Sequence, residues 1–368
     1  MKVLVVNAGS STYKCALFDL TKASSGAFVK PLWERTEENS KNTLKRLLDS
    51  VWKVSETIDC VGHRVVHGGV KLYKPTLITP AVVKTILSLC SLAPLHNPAN
   101  LEGIETLGKL LPQTPQVAVF DTAFHHTLSD VAATYPVPYG WFKKDIRRYG
   151  FHGISHDYCT ERASQILKEK RSRLKIISCH LGNGSSLCAV DKGKSIDTTM
   201  GFTPLEGVMM GTRSGSIDPA ILLYLLREKK YTAKQLDRIL NFESGFKGIC
   251  GTSDLRKVLE ADDPQAKLAL EMYVHSLVKN IGAMAAVLEG LDALLFTGGI
   301  GENSPLVRKK VCEQLQFLGF ALDQKKNQNP KPDSEISTPS SKVRLLVIHT
   351  REDFAIAKAV VKVLPKSG

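Results

Sequence analysis

Hydrophobic and polar positions along the chain follow two periods. Short apolar runs at 3–20, 60–66, 116–120, 174–190, 293–296 and 343–348, mostly closed by glycine- or serine-rich turns, predict strands. Longer stretches with apolar residues three and four apart predict helices at 42–54, 80–92, 99–110, 158–168, 217–228 and 264–289. Ser304-Pro305 starts a further helix, and Thr350-x-x-Asp353 reads as the cap of the last one. The polar segment 21–40 has room for one short strand around Val29–Trp33, while 147–157 and 328–341 read as loops. Strand, glycine turn and helix alternate in both halves, which predicts an α/β fold.

One pattern occurs twice. Residues 3–20 read VLVVNAGSSTYKCALFDL and residues 176–191 read IISCHLGNGSSLCAVD. Each is strand, Asn-x-Gly-Ser-Ser or Asn-Gly-Ser-Ser, strand, Asp. Taken alone, the second turn reads as a plain surface hairpin. Its glycines also let backbone N–H groups crowd an anion, with Ser185 and Ser186 as added hydroxyl donors. The repeat predicts two like domains facing each other across a cleft, with boundaries at 1–150 and 151–368 and the final helix packing back on the first.

Composition narrows the class. The 368 residues are 43% hydrophobic and 23% charged, as in ordinary globular proteins. No 18-residue apolar run and no secretory leader is read, so a cytoplasmic protein without a membrane span is expected. Eight cysteines without a C-x-x-C pair point to reduced thiols, with neither a disulfide frame nor a zinc site. The net charge of +13 raises nucleic-acid binding, but the lysines are scattered and lack interleaved aromatics. A basic site for an anionic substrate fits better, and no nucleic-acid partner is expected.

The polar clusters Asn7, His67, Asp121, His180, 298–303 and Glu352 stand at carboxyl ends of predicted strands or just beyond, where open α/β sheets bind ligands. Met210-Gly211-Thr212-Arg213-Ser214-Gly215 sets one arginine between two glycines. Glycine turns and helix N-termini at 304 and 351 are anion sites. Arginines, donors and carboxylates together suit phosphoryl transfer, yet neither a Walker A loop nor a protein-kinase catalytic loop is present.

The motifs VNAGSSTYK at 6–14, GHRVVHGG at 62–69, APLHNPAN at 93–100, VFDTAFH at 119–125, RRYGFHGISH at 147–156, SCHLGNGSS at 178–186, MGFTPLEGVMMGTRSGSIDP at 200–219 and FTGGIGEN at 296–303 resemble the acetate kinase family from Met1 to about Val363. The resemblance implies two RNase H-like (actin-like, ASKHA) domains. It implies Mg²⁺- or Mn²⁺-dependent transfer from ATP to acetate, giving acetyl phosphate and ADP. It further implies a homodimer, for which the helix at 264–289 is one candidate surface and equally a core element, and a role in acetyl-CoA biosynthesis. The matching positions imply catalytic roles for Asp121, Arg64, Arg213, His152 and His180. They imply an acyl site at Arg64, Val66, Leu95, Phe151 and Pro204, and metal-side oxygens at Asn7 and Glu352. ATP contacts are implied at Lys14, Ser10, Thr12, Asn183, Gly184, Asp254, Arg256, Gly299, Ile300, Gly301 and Asn303. The chain is short for the family between Leu20 and Cys60, which predicts a trimmed strand or hairpin there. Propionate or another short acid is the rival substrate, and an actin-like nucleotide-binding structural protein the non-enzymatic rival.

Overall fold

A computed structural model describes residues 1–9, 11–21, 28–40 and 42–364. The chain divides into two compact units. One comprises Met1–His126, Gly153–Ser155 and Arg351–Gly368, the other Thr127–His152 and His156–Thr350.

The first unit holds a six-stranded sheet of β1 (Lys2–Ala8), β2 (Thr12–Asp19), β3 (Trp33–Glu38), β4 (Cys60–Val65), β5 (Thr76–Leu77) and β6 (Gln116–Phe120) in the order β3-β2-β1-β4-β6-β5. The second holds β7 (Lys175–Leu181), β8 (Ser185–Asp191), β9 (Lys194–Thr198), β10 (Ala293–Thr297), β11 (Ser334–Glu335) and β12 (Arg344–Val347), in the order β11-β12-β10-β7-β8-β9. Read from the β9 edge, the second sheet repeats the first strand for strand. The meander β1-β2-β3 is antiparallel, β1-β4-β6 is parallel, and β5 returns antiparallel; β7 to β12 do the same. The doubled motif at 3–20 and 176–191 is therefore the first hairpin of each sheet.

Several boundaries differ from the sequence reading. The segment 21–40 keeps its strand, but at Trp33–Glu38, where an edge position lets polar side chains stay exposed. Among the described residues the first sheet thus has the same six positions as the second. The helix expected from Tyr158 begins at Gly153, and part of the 147–157 loop is helical. The stretch 298–303 is a helical turn, not an open glycine loop. The last helix, Glu352–Val363, lacks the expected box: Arg351 is its N-cap, and Thr350 N donates to Glu302 Oε1 at 3.1 Å instead.

The cores explain why these runs form sheets. Val3, Val5, Ile176, Ile177, Leu294 and Leu295 are fully buried, as a sheet covered on both faces requires. The helix Pro264–Val287, capped by Asp263 accepting from Ala266 N at 2.9 Å, buries Tyr273, Val274, Leu277 and Ile281. It is core. In the first unit Gly62 of β4 leaves room for the last helix, since a Cβ there would lie 2.7 Å from Val360 Cγ2. Each of the eight cysteines is a thiol, and no described helix is long and apolar enough to cross a membrane.

Candidate active site

In the first unit the carboxyl ends of β1, β4 and β6 deliver Asn7, Arg64 and Asp121 to one place. Arg64 Nε donates to Asp121 Oδ1 at 3.1 Å, Nη2 donates to Asp121 Oδ2, and Nη1 donates to Asn7 Oδ1 at 3.2 Å. Glu352, first residue of the last helix, places Oε2 3.9 Å from Arg64 Nε. Burial works against the Arg64 charge, but Asp121 and Glu352 outweigh it and hold the guanidinium above its ordinary pKa. Burial pushes the Glu352 carboxyl up, against the pull of Arg64 and with Asp353 adding to it. Asp121 is 1% exposed and is anchored by its own backbone, whose N–H donates to Val65 O at 3.0 Å and whose carbonyl accepts from Gly153 N at 2.8 Å.

Val66 sits just past β4, its N–H held by Asn100 Oδ1 at 3.0 Å, while Asn100 Nδ2 donates to Ala8 O at 2.7 Å. Leu95 is half-buried ahead of the helix Asn97–Leu110. Thr12 opens β2, and its carbonyl accepts from Gly9 N at 2.8 Å. Lys14 is paired with Asp353 at 2.8 Å and Glu34 at 3.5 Å, so its charge is already matched by two carboxylates. Ser10 lies outside the described residues.

In the second unit the turn after β7 gathers His152, His180, Asn183, Gly184 and Arg213. The His152 and His180 rings stack at 4.3 Å between centroids. A Cβ at Gly184 would lie 3.5 Å from both Arg213 Nη1 and His152 Nε2, so backbone, guanidinium and imidazole meet at this turn. His152 has a left-handed backbone, φ 55°, immediately before the helix Gly153–Leu167. Its Nδ1 is hydrogen-bonded to Ser186 Oγ at 2.9 Å. The same hydroxyl meets His156 Nε2 at 2.8 Å, and His156 Nδ1 meets Ser178 Oγ at 3.0 Å. A hydroxyl has one proton to give, so Ser186 couples the protonation of His152 to that of His156. Ser185 and Ser186 are therefore not anion donors: both are buried, Ser186 on the histidines and Ser185 on Gly182 O and the Tyr273 hydroxyl. His156 is the link between the two serines, a contact that no spacing in the sequence marks.

Arg213 Nη1 donates to Pro204 O at 3.3 Å, and among the described residues no carboxylate pairs with it. Burial alone lowers its pKa. A partly buried guanidinium without a counter-charge, beside a glycine turn, is a site for an anion. Phe151, next to His152, is 1% exposed, and Pro204 is half-buried.

Asn183 leads from this turn into a cavity of about 510 Å³ that Asp254, Arg256, Leu259, Gly299, Ile300 and Asn303 help to line. Its size suits an adenosine-sized group. Gly298, φ 76°, opens its wall with a Cβ position 2.7 Å from Leu181 O, so only glycine fits. Glu302 pins that turn, accepting from Gly298 N at 3.0 Å and pairing with His349. Gly301 faces inward, its carbonyl accepting from the fully buried Arg308 at 2.8 Å, so it supports the wall rather than lining it. Asp254 caps the helix Leu255–Glu260 and pairs with the exposed Arg256.

The family model of the acetokinase family matches residues 36–358. The chain belongs to the acetokinase family. It is 50% identical to an acetate kinase of Protochlamydia amoebophila, with 99% of each chain covered. It is 51% identical to an acetate kinase of Gloeobacter violaceus over 97% of this chain and 98% of that one. Among solved structures, a propionate kinase from Francisella tularensis superposes with a TM-score of 0.91 at 38% identity, over 99% of this chain and all of that one. Acetate kinase of Porphyromonas gingivalis gives 0.89 at 39%, with the same coverage. The two-sheet α/β architecture is thus that of acetokinases.

Proposed function

We propose that the chain is an acetate kinase, transferring the γ-phosphoryl group of ATP to the carboxylate of acetate to give acetyl phosphate and ADP. The observation that carries this is Arg213: a partly buried cation without a carboxylate partner among the described residues, on a glycine turn that continues through Asn183 into the nucleotide-sized cavity.

The chemistry needs no general base. A short carboxylic acid has a pKa near that of Glu, about 4.3, and is an ionised nucleophile at neutral pH. The barrier is repulsion between an anion and a polyanion. Arg64, oriented by Asp121, neutralises the attacking carboxylate. Arg213 neutralises the phosphoryl group in transfer, and His152 and His180 donate hydrogen bonds to its oxygens. Asn183 and Gly184 hold phosphate oxygens, and Asp254, Arg256, Gly299, Ile300 and Asn303 hold the adenosine. Bound Mg²⁺ would neutralise phosphate charge. Asn7 Oδ1 and the Glu352 carboxylate, both on Arg64, are hard oxygen donors that fit it. Among the described residues no cluster of three His, Cys, Asp or Glu could hold a metal. That suits an ion bound mainly by nucleotide and water.

The protein works in the cytoplasm, in the supply of acetyl phosphate for acetyl-CoA synthesis, and as a homodimer. The dimer reading rests on the helix Pro219–Arg227, which has no buried residue and exposes Ile221, Leu223, Tyr224 and Leu226. The deciding assay is acetyl hydroxamate formation from acetate, ATP, Mg²⁺ and hydroxylamine. Product that requires all three of acetate, ATP and metal supports the proposal. ATP binding without acetate-dependent ADP release refutes it in favour of a structural actin-like protein.

A further inference from the structure

The loop that carries Phe151 and His152 is tied to the segment that carries Pro204 by a charged cluster away from the reacting groups. Arg148 Nη1 donates to the carbonyls of Thr198, Thr199 and Met200 at 3.1, 3.3 and 3.4 Å. Its Nη2 donates to Glu206 Oε1 at 2.8 Å, and the guanidinium lies 5.4 Å from the Tyr135 ring centre. The Tyr135 hydroxyl donates to Glu206 Oε2 and accepts from Phe202 N at 2.8 Å. Tyr149 N and Gly150 N donate to Gly201 O at 3.0 and 3.2 Å. Gly201 has no alternative: a Cβ there would lie 1.6 Å from Glu206 Oε2.

Both ends of this cluster run to the candidate site. On one side Arg148 stands four residues before His152. On the other, Glu206 is followed by Gly207, whose carbonyl accepts from Ser216 N at 2.9 Å and whose N–H is held by Ser216 Oγ at 3.1 Å, closing the turn that bears Arg213. Within the same turn Arg213 reaches back to Pro204 O.

We infer that Glu206, held by Arg148 and Tyr135, is a positioning residue that sets His152 and Arg213, with Phe151 and Pro204 of the acyl site beside them, relative to each other and so governs the transfer step and acid binding. The inference rests on the acetate kinase reading. The ATP-sized cavity is lined by other segments, so the cluster acts on the acid and phosphoryl side and leaves nucleotide affinity alone. A one-ångström misplacement of a catalytic group is worth as much as about a hundredfold in rate.

The test is steady-state kinetics on the purified full chain with wild type, Glu206→Ala, Glu206→Gln and Tyr135→Phe. Wild type is measured first; absence of acetate-dependent turnover there refutes the acetate kinase reading itself. Glu206→Ala is expected to lower kcat by roughly ten- to a hundredfold and to raise the acetate KM, while the ATP KM stays within about twofold. Glu206→Gln keeps the shape and is expected to recover most of kcat. Unchanged kcat and acetate KM in Glu206→Ala overturn the inference, and so do acetate and ATP KM values that rise together. Should Glu206→Ala fail to fold, Tyr135→Phe removes one hydroxyl and must show the same acetate-only change at smaller amplitude; its absence there is equally decisive.

Discussion

Arg64 and Asp121 form a two-pronged ion pair, with Nε on Oδ1 at 3.1 Å and Nη2 on Oδ2, and the acid is 1% exposed. A fork held by both carboxylate oxygens cannot rotate, so Asp121 fixes the plane in which Arg64 meets a third partner. Arg64→Ala is expected to lower kcat by roughly two to four decades, and Arg64→Lys to recover only part, because an ammonium lacks the fork. If Asp121 acts through Arg64, Asp121→Ala adds little in the Arg64→Ala background. Near-wild-type kcat in both single alanine variants sinks the assignment.

Glu352 gives a pH-dependent test. Burial raises its pKa in the fold despite Arg64. A group whose folded pKa is raised favours the fold below its unfolded pKa, and that contribution is lost as pH rises through the folded value. At neutral pH, above its unfolded value, Glu352 therefore costs stability. Glu352→Gln should melt higher than wild type at pH 7, by roughly one to a few degrees, with the gap closing toward about pH 4. The same variant should lose most Mg²⁺-dependent turnover. A lower Tm at pH 7 would show that the pairing with Arg64 outweighs the burial.

Much of this was legible because it is local. Asn7, Asp121 and His180 end or follow apolar runs, and a strand end is where period-two patterning stops. The doubled Gly-Ser-Ser turn exposes the repeat because a hairpin is one contiguous segment. What was not legible depends on distant partners. Arg148 meets Glu206 across 58 residues, and nothing in either neighbourhood marks the pair. Thr350 resembles a helix cap by spacing, but Glu302, folded close to it, captures its N–H. The helix start at Gly153 was hidden because two glycines read as loop, whereas His152 in the left-handed region lets the helix begin there. Ser185 and Ser186 sit on a turn that looks exposed, but the strand β8 begins at Ser185 and turns both hydroxyls inward.

Gly211 and Asn183 give a test by steric conflict. Gly211 N donates to Asn183 O at 3.0 Å, and a Cβ on Gly211 would lie 1.9 Å from Asn183 Oδ1. Gly211→Ala must expel that side chain from its place at the cavity mouth. Its kinetic defect should resemble that of Asn183→Ala, at roughly ten- to a hundredfold in kcat/KM for ATP, and the double variant should be no worse than either. Additive losses would show that the two residues act separately.

The exposed helix Pro219–Arg227 predicts association. Leu223 is 59% exposed and Tyr224 47%, on an element with no buried side chain. Homodimers bury such faces symmetrically. Sedimentation should find a dimer for wild type and a shift toward monomer for Leu223→Asp. A monomeric wild type, or a Leu223→Asp dimer of unchanged affinity, rules this face out.

Val66 bears on which acid is used. It lies two residues beyond Arg64, at the strand's end, is 5% exposed, and is tied through Asn100 to β1. Its side chain is branched and its backbone is held, so it cannot swing aside for a longer acyl chain. An apolar acyl pocket separates short acids through a few such contacts. One methylene in such a pocket is worth about 1–3 kcal/mol, so propionate should be a poorer substrate than acetate, not an excluded one. Val66→Ala removes bulk without touching Arg64 and should raise the propionate-to-acetate ratio of kcat/KM by up to about tenfold. The KM for ATP should not move. If wild type prefers propionate or butyrate, or if the ratio is the same in both proteins, Val66 does not line the acyl site.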